Sequence, residues 1–160
     1  MMLKNPPLGW NSWDCYGAAV DEATVRRNAD YMAKYLKPYG WEYVVVDIQW
    51  SEPTAASHDY HDFAELCMDE YSRLIPAENR FPSSKGGKGF APLADYVHSL
   101  GLKFGIHIMR GIPRQAAARN TKILGSEHTA REIARAKSLC FWHSDMYGVN
   151  TDRPGAREYY

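Results

Sequence analysis

Tyr43-Val44-Val45-Val46-Asp47-Ile48 is an apolar, β-branched run with no polar alternation. A strand buried on both faces of a parallel sheet reads this way, whereas an antiparallel strand with one wet face alternates. Upstream, Val25, Ala29, Met32 and Leu36 step by four, three and four, which predicts one apolar stripe on a helix over Asp21 to Leu36. Asp21 is its expected cap, and Pro38 and Gly40 its stop. Further upstream, Leu8-Gly9-Trp10-Asn11-Ser12-Trp13 reads as a short strand entering a loop. Downstream, Ala91 to Leu100 predicts a second helix, with Pro92 in its first turn and Gly101 at its end. Leu102-Lys103-Phe104-Gly105-Ile106-His107-Ile108 follows at once as a third strand. The order β, α, β, α, β is that of parallel βα units, so the fold class is α/β.

The rest of the chain is less regular. Ser51 to Phe90 is a long connection rich in acids, aromatics, prolines and glycines, and loops of this length in compact domains usually carry function. A third helix is expected near Thr129 to Leu139, and Pro154 to Tyr160 resembles the start of another. No repeat, low-complexity tract or charge block marks a second domain.

Composition narrows the function. The chain has 160 residues, 45% hydrophobic and 13% aromatic, which suits a packed core. Nineteen basic residues balance nineteen acidic ones, so the field that attracts nucleic acid or an anionic membrane is missing and neutral small molecules are the expected ligands. No apolar run approaches the roughly 20 residues needed to cross a bilayer. Met1 to Pro7 lacks the hydrophobic stretch of a signal peptide, and the expected location is cytoplasmic. Cys15, Cys67 and Cys140 are an odd, widely spaced set read as reduced thiols.

Several residues are candidates for chemistry. Asp47 ends an apolar parallel strand, where α/β folds bind ligands, although it can equally cap the following loop. Trp50 either walls a pocket or packs in the core. Trp10 and Trp13 flank Asn11 and Ser12, and tryptophan faces suit the C–H surface of a sugar ring. His107 shares strand parity with Gly105 and reaches the strand ends unless it is a core histidine; Arg110 follows just beyond. His58 and His61 lie around Asp59 and Asp62, but their spacing matches no zinc pattern. Lys85 to Gly89 lacks the spacing of a phosphate-binding loop, and no nucleophile elbow is present. This reading calls for no cofactor and no metal.

Taken in order, Pro7 to Trp13, Tyr43 to Trp50, Asn79-Arg80-Phe81-Pro82, and Ala94 to His98 through Gly101 to Ile106 resemble glycoside hydrolase family 27, the α-galactosidases and α-N-acetylgalactosaminidases, in its bacterial branch. The resemblance spans roughly the first 110 residues and fades from Arg114. It implies the N-terminal portion, about three βα units, of a (β/α)₈ barrel, with residues 1–160 ending before the fourth strand. It also implies a retaining mechanism, in which one aspartate attacks the anomeric carbon and a second serves as acid and then base. In the family these aspartates end strands 4 and 6, so the resemblance puts both beyond Tyr160. What carries over is the sugar-binding half of the site. Trp13 matches a tryptophan lining the galactose pocket, and Asp47 the first of two adjacent aspartates that bind sugar hydroxyls. Ile48 replaces the second, which removes a partner for the 4- and 6-hydroxyls, and His107 stands where many members have a tyrosine. The implied activity is that of an α-galactosidase on terminal α-galactosides. The Ile48 departure keeps an α-N-acetylgalactosaminidase or β-L-arabinopyranosidase open, and from another class a non-catalytic carbohydrate-binding fragment. Trp13, Asp47, Trp50, His107 and Arg110 are the expected substrate-binding residues. A partial barrel also implies self-association through exposed strand edges.

Overall fold

The computed structural model describes residues 6–160, so most of the segment read for a signal peptide lies outside the described residues. The described residues divide into two compact units: 6–59 with 76–108, and 60–75 with 109–160. Among the described residues no helix is long and apolar enough to cross a membrane. The three cysteines are free thiols.

The first unit is α/β. Strands β1 (Leu8–Asn11), β2 (Trp41–Val46) and β3 (Lys103–Ile106) form a parallel sheet in the order β1-β2-β3. β2 is central; Val44 and Val46 on one face are buried completely, whereas Tyr43 and Val45 on the other are only half-buried, so the burial on both faces expected from the apolar run is complete on one face alone. Gly9 sits opposite Tyr43, and a Cβ there would lie 2.6 Å from the Tyr43 Cβ, so only glycine lets the strands approach this closely. A single turn, α1 (Trp13–Tyr16), follows β1. Helix α2 (Glu22–Tyr31) begins where Asp21 accepts a 2.7 Å hydrogen bond from the Thr24 N–H, and then widens into a π-type stretch over Met32–Leu36. Its stripe of Val25, Ala29 and Met32 is buried in the core. Helix α3 (Ala91–Ser99) buries Leu93 and Val97, and the left-handed Gly101 (φ +71°) turns the chain into β3.

Of the second unit, the sequence announced the short helix within Pro154 to Tyr160 and the helix start at Thr129, but not the sheet. β4 (Ile112–Pro113), β5 (Ala134–Cys140) and β6 (His143–Val149) make an antiparallel sheet in the order β4-β6-β5. Helices α4 (Arg114–Arg119), α5 (Ala130–Ile133) and α6 (Ala156–Tyr159) accompany it, and Ile112, Ala116, Ile123, Ala130, Ile133 and Ala156 form its core. The helix expected over Thr129 to Leu139 is therefore corrected. It starts as expected, with a capping box between Thr129 and Glu132, but lasts one turn. Ala134 is already extended, and the chain from there pairs with β6.

Candidate functional site

Asp47 and His107 lie one residue beyond the ends of adjacent strands, because Val46 of β2 is in register with Ile106 of β3. Here the main chain leaves the regular ladder. The His107 N–H still donates to the Val46 carbonyl at 2.9 Å, but the Asp47 N–H donates to the Ser12 hydroxyl at 2.9 Å. Ser12 is buried and its own N–H is bound to the Val45 carbonyl, so the end of β1 fixes the backbone of Asp47.

The side chains pair directly. Asp47 Oδ1 accepts from the Ile48 N–H at 2.7 Å and lies 2.8 Å from His107 Nδ1. Asp47 is 8% exposed, whereas the His107 side chain keeps 54% of its surface open. The capping reading of Asp47 thus holds in geometry: Oδ1 accepts from the N–H that opens the following turn, and the same oxygen meets a histidine. His107 is a half-open residue at the strand ends rather than a core histidine.

Trp50 is 5% exposed, and its ring packs edge-on against Phe90 at 5.2 Å. Its indole N–H donates to the His107 carbonyl at 3.0 Å. It therefore offers the site no ring face and instead holds the backbone of His107. Ile48 is buried beside Asp47. Trp13 is half-buried, with its N–H on Asn11 Oδ1 at 2.8 Å and its ring edge-on to His58 at 5.3 Å. His58 Nε2 lies 3.1 Å from the Trp13 carbonyl. The unit boundary falls between Asp59 and Tyr60, which parts His58 from His61. Arg110 belongs to the second unit, where it is exposed and lines a cavity of about 240 Å³ with Tyr147 and Tyr160 among others.

Arg80, which the sequence showed only as part of a motif, is the organising cation of the first unit. Its guanidinium is buried and donates to the carbonyls of Gln49 (2.7 Å), Glu52 (2.8 Å), Val20 (2.6 Å) and Ala18. These carbonyls lie on two loops, one following α1 and one following Asp47. Gln49 adopts a left-handed conformation (φ +68°), which is costly for a residue other than glycine, and the arginine secures its carbonyl. Burial pushes the Arg80 pKa below its ordinary value, opposed by the negative charges of Glu52 and Asp21. Glu52 is fully buried, with Gln49 Nε2 at 3.0 Å and Thr54 Oγ1 at 2.9 Å donating to its carboxylate. A basic residue in a loop otherwise reads as surface, so only its contacts expose this role.

Among the described residues, no three His, Cys, Asp or Glu side chains gather as a metal site. Chemically, Asp47 and His107 offer a carboxylate and an imidazole as hydrogen-bonding groups, a pair suited to a neutral polyol.

Compared with family models, the chain matches none. It is 40% identical over 103 residues to an α-galactosidase of Coffea arabica, which covers 64% of this chain and 22% of that protein. It is 30% identical over 144 residues to an α-galactosidase of Oryza sativa subsp. japonica, covering 89% and 28%. A solved family 27 β-L-arabinopyranosidase from Geobacillus stearothermophilus, in complex with arabinose, is 69% identical with a TM-score of 0.96, over 98% of this chain and 36% of that one. A candidate α-N-acetylgalactosaminidase from Bacillus halodurans C-125 is 64% identical with a TM-score of 0.92, over the same shares of 98% and 36%. The chain thus spans 36% of these structures and 22–28% of these curated relatives.

Proposed function

The chain belongs to glycoside hydrolase family 27, and from that premise we propose that it is the N-terminal, sugar-recognising part of a retaining glycosidase built on a (β/α)₈ barrel. A complete barrel takes about 250 residues and binds substrate at the C-terminal ends of its strands. Three parallel strands with Asp47 and His107 just past two of those ends support this reading.

The substrate we propose is a terminal β-L-arabinopyranoside. The observation that carries it is Ile48, an apolar side chain directly after Asp47. β-L-Arabinopyranose and α-D-galactopyranose share the configuration of the ring and differ by the hydroxymethyl group of galactose. A site with a carboxylate at position 48 would satisfy that extra hydroxyl; one with isoleucine leaves it without a partner, at a cost of about 1–3 kcal/mol. The 69% identity to an enzyme described as a β-L-arabinopyranosidase supports the same choice. Asp47 then accepts hydrogen bonds from sugar hydroxyls, the Trp13 ring lies against the C–H face of the pyranose, and Trp50 keeps His107 in place. The attacking and proton-transferring aspartates of the family mechanism come from later strands.

The test compares 4-nitrophenyl β-L-arabinopyranoside, α-D-galactopyranoside and N-acetyl-α-D-galactosaminide as substrates of the full-length protein carrying this chain. The arabinopyranoside is expected to lead the galactoside in kcat/KM by roughly tenfold or more, the discrimination that one unpaired hydroxyl provides. A galactoside or N-acetylgalactosaminide preference would return the enzyme to the corresponding activity. Residues 1–160 alone are expected to hydrolyse none of the three.

A further inference from the structure

At the ends of β2 and β3 two polar atoms find no partner among the described residues: Asp47 Oδ2 and His107 Nε2. Everything beside them is committed. Asp47 Oδ1 takes the Ile48 N–H and the His107 ring, Ser12 takes the Asp47 N–H, and Trp50 takes the His107 carbonyl.

The contact also fixes where the imidazole proton sits. An ionised aspartate accepts hydrogen bonds and donates none, so the 2.8 Å contact requires the hydrogen on His107 Nδ1. A neutral imidazole has one N–H, which leaves Nε2 as a lone pair. With the aspartate ionised and the imidazole neutral, the pair presents two acceptors, one on an anion and one on a ring nitrogen.

We propose that Asp47 is the positioning residue for His107, locking it as the Nδ1–H tautomer, and that Nε2 of His107 accepts a hydrogen bond from a hydroxyl of the bound sugar, alongside Asp47 Oδ2. The inference rests on the sugar-site reading above and adds to it a tautomer and an atom. A pair of acceptors suits adjacent hydroxyls of a neutral pyranose and disfavours anionic ligands, because among the described residues no lysine or arginine pairs with either side chain. The rigidity is part of the argument. The Asp47 contact orients the ring and the Trp50 indole fixes the backbone that carries it, so the direction of the Nε2 lone pair is biased before the sugar arrives.

The experiment is long-range ¹H–¹⁵N NMR on the full-length protein with ¹⁵N-labelled histidine, with L-arabinose as the probe, paired with sugar affinity of two variants. His107 is expected as the Nδ1–H tautomer without sugar, and L-arabinose is expected to move its Nε2 resonance while Nδ1 stays protonated. His107→Asn retains an amide donor near the position of Nδ1 and deletes Nε2; it is expected to weaken L-arabinose binding roughly tenfold, the value of one hydrogen bond. His107→Gln, which reaches outward with a carbonyl oxygen, is expected to lose less. A resting Nε2–H tautomer overturns the proposal. So does a His107→Asn variant that binds as the wild type does, since His107 would then serve only to hold Asp47. A wild type with no response to L-arabinose overturns the sugar-site reading and this inference with it, whereas a responsive wild type beside an unaffected Asn variant overturns this inference alone.

Discussion

Replacing Arg80 with methionine removes the cation that joins the two loops of the first unit while keeping much of its length. Its guanidinium makes four hydrogen bonds to carbonyls, on Ala18, Val20, Gln49 and Glu52, and faces the fully buried Glu52 carboxylate. Charge-assisted bonds are worth about 1.5–3 kcal/mol each, but those of one group are not additive. Removing one partner of a buried charge pair costs about 3–5 kcal/mol, because the other charge is left behind. A loss of about 4 kcal/mol is therefore expected for Arg80→Met, close to a thousandfold in the folding equilibrium. With a urea slope of about 2 kcal/mol/M, the midpoint falls by roughly 2 M. Tryptophan fluorescence reads the transition, since Trp10, Trp13, Trp41 and Trp50 all lie in the first unit. Arg80→Lys retains the charge but not the fork that reaches both loops, and its loss should fall between wild type and Arg80→Met. Adding Glu52→Gln to Arg80→Met should recover part of the loss by removing the stranded anion. A midpoint shift equivalent to less than about 1 kcal/mol for Arg80→Met would refute the assignment of Arg80 as the clamp of these loops.

Two more outcomes follow from the same unit. Glu22 is buried, which by itself raises its pKa, but the Ser83 N–H and the Arg26 guanidinium outweigh burial and hold it below the ordinary 4.5. A depressed folded-state pKa contributes stability that is present above 4.5 and lost as pH falls through the folded value. Urea midpoints for wild type and Glu22→Gln should therefore differ at pH 7 and converge below pH ~4; a constant gap would sink this linkage. For the strand edges, Leu8, Ile106 and Ile108 are exposed on β1 and at the end of β3, so residues 1–160 should self-associate, and Ile106→Lys should reduce light scattering. Monodisperse wild-type monomer at all concentrations would show that these edges do not drive assembly.

The parallel sheet and its two helices were readable because each depends on a short-range pattern. The valine run of β2 is an unbroken β-branched stretch, and the stripes of α2 and α3 repeat at helical spacing. Asp47 was readable as a single residue for the same reason, as a carboxylate ending an apolar strand. The hairpin of β5 and β6 was not. It buries His143 and Asp145 and exposes Leu139 and Phe141, so its sequence lacks the alternation that announces a half-buried strand. Arg80 is a similar case: its partners are four main-chain carbonyls, and main-chain atoms leave no trace in residue type.

Sequence by itself determined the α/β class and the family, since these follow from local periodicity and motif order. Tertiary structure decided that Asp47 and His107, sixty positions apart, share one hydrogen bond, and that Trp50 holds a backbone rather than facing a ligand. The physical reason is register. Strands β2 and β3 align Val46 with Ile106, and only that pairing of distant segments brings the next residues of each within reach of one another.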